Sequence, residues 1–308
     1  MKVTFSPAGK NSEYMPLIYG LRLHERYVYH YTKFATARDF ILPSNILRLG
    51  HFTKTNDPRE SRQWQFGVGS IARDKDIGPY ALQNVSEWMS SVIQRETRIA
   101  CFCRDAGPLT GNHLDDIYRR GFARARMWAQ YAEDHRGLCL VFDLVKLVEA
   151  LRRKVEEVAR TAPVFLVYSP VSYSNQRLAG PSHEHAFSVT VEDLEELGRN
   201  NYPWHHAMRW WRELFFQKVE DWRDEAEWRV IVLVASDGPI DVDTGDALVG
   251  VIHGDRMARQ DSESIIALSD RPEVEHMGLI WKNGCPWYDL GGDRWSYHDR
   301  HLPGLKRK

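Results

Sequence analysis

Five consecutive apolar residues, Val230-Ile231-Val232-Leu233-Val234, follow directly on the charged segment Asp224-Glu225-Ala226-Glu227-Trp228-Arg229. β-Branched side chains favour the pleated backbone, so the run reads as a strand entered from a charged end. Side chains of a strand alternate faces with period 2, which points Glu225 and Glu227 the same way. A matched pair of acids at a strand mouth suits acid/base or electrostatic chemistry. The same pair is equally the mark of a solvated strand end.

Around this segment, short strands and helices alternate without a regular repeat. Tyr27–Thr32, Ile46–Leu49, Ile99–Cys103, Gly137–Asp143, Val164–Ser174, Leu248–His253, Ser264–Leu268 and Gly278–Trp281 read as further strands. Helical spacing marks 81–94, 119–132, 144–160 and most of 191–219. A short helix over Ala37–Leu42, capped by Thr32 or Thr36, is expected to end at Pro43. Asn56-Asp57-Pro58 is turn chemistry, and 178–188 reads as loop. The pattern predicts one α+β domain over residues 27–308, preceded by an N-terminal extension at 1–26.

Composition narrows the function. Lys+Arg 41 against Asp+Glu 42 argues against a dedicated electrostatic binder of nucleic acid, although a local patch is compatible with it. Cys101, Cys103, Cys139 and Cys285 show no Cys-x-x-Cys spacing, so a zinc ribbon, a thioredoxin-like motif and a disulfide framework are not indicated. The first residues carry no apolar signal segment, and no run approaches a membrane span. The expectation is a cytoplasmic, reducing location with no membrane.

There is no Gly-x-Gly-x-x-Gly, no phosphate-cradling Gly-Lys-Ser/Thr, no His-Glu-x-x-His and no Gly-x-Ser-x-Gly. His183, His185, His205 and His206 cluster between 183 and 206, open either to a metal or to solvated and core roles. Trp128 and Tyr131 lie three apart on one helical face, the usual spacing of core residues.

Five short motifs occur in order: Tyr29-His30-Tyr31-Thr32, Asn56-Asp57-Pro58-Arg59-Glu60, Cys101-Phe102-Cys103, Met127-Trp128-Ala129-Gln130-Tyr131-Ala132 with His135-Arg136-Gly137, and Glu225-Ala226-Glu227-Trp228-Arg229. Across residues 27–255 this set resembles a widespread bacterial family known as domain of unknown function 2971. The order of its strand motifs further resembles the ADP-ribosyltransferase fold, which implies a split, mainly antiparallel β-core decorated by helices. That resemblance implies NAD as substrate. His30, Tyr31 and Thr32 on the first strand, with Cys103 and Tyr131, would bind it. Glu227 would be catalytic, and Glu225 would orient the acceptor. Cys103 stands where the family has Ser, and a thiol is the weaker donor.

The activity so implied is an NAD-dependent ADP-ribosyltransferase acting on a protein or nucleic acid, in the manner of a bacterial toxin or antiviral effector with an antitoxin or defence-system partner. Two other readings stand beside it. A metal-dependent nuclease or phosphodiesterase would hold Mg²⁺ through Asp57, Glu60, Glu225 and Glu227, but the sequence offers only Arg229 where such a site wants lysine. A non-catalytic module would stack bases on the aromatic and basic segment 204–223.

Overall fold

The computed structural model describes residues 26–82, 84–175, 184–269, 271 and 274–289. The expected N-terminal extension, save Arg26, lies outside the described residues, as do His183 and part of the expected 178–188 loop.

Fourteen strands appear among the described residues. They are β1 (Tyr27–Thr32), β2 (Ile46–His51), β3 (Gly67–Gly69), β4 (Thr97–Cys103), β5 (Leu138–Asp143), β6 (Val164–Pro170) and β7 (Ser172–Tyr173). The rest are β8 (Ser188–Thr190), β9 (Gln217–Lys218), β10 (Glu227–Val234), β11 (Ile240–Asp243), β12 (Leu248–His253), β13 (Glu275–Lys282) and β14 (Cys285–Asp289). Helices used below are α1 (Val85–Glu96), α2 (Ala125–Tyr131), α3 (Leu144–Val158), α4 (Val191–Arg209), α5 (Trp211–Phe215) and α6 (Arg259–Leu268).

The architecture is α+β, with a ten-stranded, mostly antiparallel sheet ordered β11-β2-β4-β1-β5-β12-β13-β14 and with β10 and β6 branching from β4. Only β12 and β13 run parallel within it. The branch point is β4. One of its edges is shared by β2, at Gly50↔Ile99 and His51↔Arg98, and by β1, at Tyr29↔Cys103. Its other edge pairs with β10 from Glu227↔Cys103 to Leu233↔Thr97.

The apolar run in β10 is explained by burial on both faces, which removes the polar alternation of a half-exposed strand. Trp228, Val230, Val232 and Val234 enter the core packed against α3. Ile231 and Leu233 enter a separate core with Phe52, Met89 and Phe215. Asp143 starts α3, its Oδ1 accepting from the Val145 and Lys146 amides at 3.1 and 3.3 Å. A third core gathers Tyr29, Tyr31, Phe122 and Trp128 beneath α2.

Several local expectations are corrected. Residues 264–268 belong to α6, not a strand: Ile265 is buried and Ser262 lies one helical turn before it, so packing overrides the β-branched pair. Helical backbone continues through Pro43 to Ser44 and stops at Asn45, whose φ of 56° ends the turn. Neither threonine caps the helical segment through its side chain: the first turn begins at Phe34 after Lys33, and Thr36, already helical, makes no capping hydrogen bond. The 119–132 helix shortens to α2, behind a 3₁₀ turn at Ile117–Arg119. The expected strand at 164–174 breaks into β6 and β7. Among the described residues, no helix is long and apolar enough to cross a membrane.

Candidate functional site

Glu225 and Glu227 converge, but not through strand alternation. Glu225 closes the 3₁₀ turn Glu220–Glu225, and Ala226 takes a left-handed conformation (φ 42°, ψ 52°) before β10 begins at Glu227. This reversal brings both carboxylates to Lys218 Nζ, 2.8 Å from Glu225 Oε2 and 2.9 Å from Glu227 Oε2. Lys218 arrives on β9, which pairs with β7 at Tyr173↔Lys218. The Tyr173 hydroxyl accepts the Glu227 amide at 2.8 Å and so pins the strand mouth.

Arg229, two residues along the same face, donates to Glu227 through Nε at 2.6 Å and Nη2 at 3.0 Å. Its Nη2 also pairs with Glu60. Glu60 comes from the Asn-Asp-Pro-Arg-Glu motif, where Asp57 caps a single helical turn, Pro58–Ser61, by accepting the Arg59 amide at 2.9 Å. The turn holds Glu60 inward. Arg59, beside it, donates to the backbone carbonyls of Glu213 and Gln217. Burial lowers the Arg59 pKa to about 10.

Three carboxylates and two cations therefore share one buried network, with Glu60, Glu225, Glu227, Lys218 and Arg229 all 1–4% exposed. Burial by itself would raise the Glu227 carboxyl, but the charges of Arg229 and Lys218 outweigh it and bring it down to about 2. Glu60 is held above the usual carboxylate range because burial exceeds the pull of Arg229 and Lys218. Burial works against the Lys218 charge too, yet Glu227, Glu60 and Glu225 together keep its pKa raised. Within this lattice the charges of Arg229 and Lys218 hold Glu227 ionised, acting at low local dielectric.

The lattice meets the surface at one end. Tyr131, half-buried on α2, donates to Glu225 Oε1 at 2.8 Å and accepts from the exposed Asn56 Nδ2 at 2.7 Å. Burial, with the Glu225 charge beside it, raises the Tyr131 phenol well above its ordinary value. Arg124 and Arg126 hold the adjacent turn by donating to the Asp224 and Asp221 carbonyls at 2.8 and 2.6 Å. The guanidinium of Arg126 and the Lys218 ammonium approach the Trp222 ring at 5.1 and 4.9 Å.

Of the expected cofactor residues, Cys103 and Tyr131 lie on this side of the sheet and His30 and Thr32 do not. Tyr29, Cys103 and Glu227 form one row across β1, β4 and β10, and directly paired residues of antiparallel strands share a face. His30 is one residue on, so it points to the opposite face with Phe102 and Trp228. Its ring lies 5.6 Å from that of Phe102, which is 5.6 Å from that of Trp228. Its Nδ1 donates to the Cys101 carbonyl at 3.0 Å, and burial lowers its pKa. Thr32 shares the His30 face and is buried. Tyr31 lies on the Glu227 face, but its hydroxyl donates to the Gly121 carbonyl at 2.9 Å. The Cys103 thiol is pushed up by burial and is no nucleophile at neutral pH.

Most of the Met-Trp-x-x-Tyr-Ala-x-x-His-x-Gly motif is structural. Trp128 is fully buried and donates to the Phe122 carbonyl at 2.7 Å. His135 stacks on it, rings 14° from parallel, at the end of three consecutive left-handed residues, Glu133, Asp134 and His135. Gly137 is required by close approach: a Cβ there would sit 2.4 Å from the Thr32 carbonyl oxygen. Tyr131 is the residue of this motif that reaches the carboxylates.

Sequence reasoning missed Lys218. It is the lysine absent from Glu225-Ala226-Glu227, supplied from seven residues upstream by β9, and no spacing rule marks it. Glu60 does join Glu225 and Glu227 as the metal reading requires, while Asp57 is spent on its cap. Lys218 and Arg229 occupy the space between the carboxylates. Among the described residues, no group of three or more His, Cys, Asp or Glu is arranged to hold a metal ion. His206 donates to the Ala186 carbonyl at 2.9 Å, a core role.

No curated protein and no solved structure matches the chain. Residues 127–230, a narrower span than the five motifs cover, match the model of the family described as protein of unknown function (DUF2971), and this segment carries Tyr131, Lys218, Glu225, Glu227 and Arg229.

Proposed function

We propose that the carboxylate cluster is the active site of an ADP-ribosyltransferase that takes NAD as substrate and a macromolecule as acceptor. The observation that carries the reading is the chain Asn56–Tyr131–Glu225–Lys218, which leads from the surface to a fixed pair of carboxylates. In the reaction the bond from ribose to nicotinamide nitrogen breaks, its electron pair leaves with nicotinamide, and positive charge builds on the sugar. The acceptor nucleophile then bonds to the anomeric carbon and gives up its proton. Preorganised negative charge favours that transition state over the ground state.

In this reading the two acids have different roles. Glu225, next to the surface-reaching Tyr131, is the carboxylate that faces the sugar. Glu227, its carboxyl held down to about 2 by Arg229 and Lys218, is ionised at neutral pH and acts as the charge behind it. Tyr131 offers an aromatic face and a hydroxyl for nicotinamide and ribose. His30 and Thr32 take no part. A toxin or antiviral role, with an antitoxin or defence-system partner, follows from the family resemblance alone.

One observation favours a second reading. Both oxygens of Glu227 are already engaged by Arg229 and Lys218, as in an ionic staple that holds β9, β10 and the Asp57-capped turn together. In that case the cluster is structural and the chain a binding module.

Nicotinamide release from NAD decides between them, assayed in EDTA with and without cell extract or nucleic acid, beside Glu225→Gln and Tyr131→Phe. Release that is lost in Glu225→Gln at unchanged melting temperature supports the transferase. Release that depends on extract or nucleic acid identifies a macromolecular acceptor. No release under any condition rejects the transferase and leaves the structural reading.

A further inference from the structure

A cavity of about 540 Å³ lies apart from the carboxylate cluster and shares no residue with it. It sits in the crook of α4, which is broken at Gly198 (φ 72°, ψ 160°) into two arms. Asp193 lines the cavity from the first arm, Tyr202 and Arg209 from the second, and Trp210 from just beyond it. Thr190 and His185 close the side toward β8. The volume is in the range of pockets that enclose a small organic ligand.

Glu196 and His205 are part of the lining, and three further parts of it match a ligand. His185 stacks on Trp210, their rings 22° from parallel with centroids 6.0 Å apart, and Tyr202 adds a further ring to the lining. Asp193 is half-buried, and its carboxylate accepts no hydrogen bond from a described residue, so it has acceptor capacity to offer a ligand N–H. Arg209 is exposed at the rim, over the Trp210 ring at 5.4 Å, with its guanidinium accessible to an anion. By contrast the Tyr202 hydroxyl is already used, accepting the Thr190 amide at 3.2 Å.

We propose that this cavity is a binding site for a purine nucleotide. The planar base extends the Trp210–His185 stack, its ring N–H or amino group donates to Asp193, and the phosphate meets Arg209 at the rim. Each part answers a different portion of the ligand. An apolar aromatic alone leaves Asp193 unpaired, and a free phosphate leaves the aromatic rings unused and sets its charge beside Asp193 and Glu196.

Isothermal titration of the full chain with GMP, AMP, guanosine, adenosine and UMP tests it. Saturable binding of at least one purine nucleotide is expected, weakened tenfold or more in Trp210→Ala and in Asp193→Asn. Arg209→Gln should weaken the nucleotide at least fivefold and leave the corresponding nucleoside within twofold. Arg209 is exposed, so that variant keeps the test decisive if Trp210→Ala misfolds. No saturable binding of any purine, UMP binding as tightly as both purine nucleotides, or affinities unmoved by all three variants would overturn the site. Glu225→Gln should leave the binding unchanged, so the cavity and the carboxylate cluster stand or fall separately.

Discussion

Arg229 grips Glu227 through two nitrogens, Nε at 2.6 Å and Nη2 at 3.0 Å, from two positions further along the same strand. The same guanidinium donates through Nη1 to the Phe215 carbonyl at 2.7 Å and pairs with Glu60. The interaction is planar, bidentate and almost fully buried, which are the conditions under which arginine and lysine are not interchangeable. It ties the strand mouth to α5 and to the Asp57-capped turn, and its charge is the largest pull holding the Glu227 carboxyl down.

Removing one member of this lattice leaves an uncompensated buried charge. Arg229→Met is expected to destabilise the protein by about 3–5 kcal/mol, whereas breaking an exposed pair such as Arg48–Asp241 by Arg48→Met should cost far less. Urea denaturation of the two variants beside wild type checks both outcomes. Equal, small losses would show that the lattice is not the anchor described.

The depressed Glu227 carboxyl makes the fold acid-sensitive in a defined window. Its folded value of about 2 lies below its ordinary value of 4.5, so the folded state binds the proton less readily than the unfolded chain. The stabilisation is complete above pH 4.5 and is lost as pH falls toward 2, amounting to roughly 3 kcal/mol for this group. Denaturant midpoints measured from pH 6 to pH 2 should fall, and Glu227→Gln should flatten that slope.

His206 adds a second window of the same sign. Burial lowers it to about 4, below its ordinary 6.5, so its contribution is complete above pH 6.5 and declines as pH drops through 4. His206→Gln should reduce the pH dependence of the midpoint between pH 6.5 and 4 while leaving the more acidic portion intact.

Gly137→Ala is expected to cost about 3 kcal/mol or to prevent soluble folding, because its Cβ would meet backbone at Thr32 and Ala132. Thermal melting of the purified variant, or its absence from the soluble fraction, is the readout. A variant as stable as wild type would mean that β1 and the turn before β5 have room to separate.

Tyr131 and His30 separate the two faces in the activity assay. Tyr131→Phe should lower nicotinamide release by about tenfold or more, since it breaks the link between Asn56 and Glu225. His30→Gln, on the other face, should leave release within about twofold. The reverse ranking would require the NAD site to lie beside His30.

Much of the outline was legible in the sequence because local propensity and burial agreed. The apolar run after Arg229 reads as a strand and forms β10, and α3 follows from its apolar spacing. Where the two disagreed, packing prevailed, as in α6, where the Ile265-Ile266 pair suggested a strand. The pairing of Glu225 with Glu227 was read correctly from a wrong premise. The left-handed Ala226, which no residue type announces, does what strand alternation was expected to do.

The sequence by itself determined where most of the strands and helices form and, within a strand, which side each residue takes. Only the tertiary structure decided which of those sides meet. That decision lies in register: Tyr29↔Cys103↔Glu227 puts His30 on the far face, and a slip of one residue would have reversed it. It lies as well in long-range pairing, which brings Lys218 and Glu60 to Glu227 although no local spacing records it. Side-chain alternation is a property of a few neighbouring bonds, whereas the partner of a buried charge is fixed by how separate strands and turns pack.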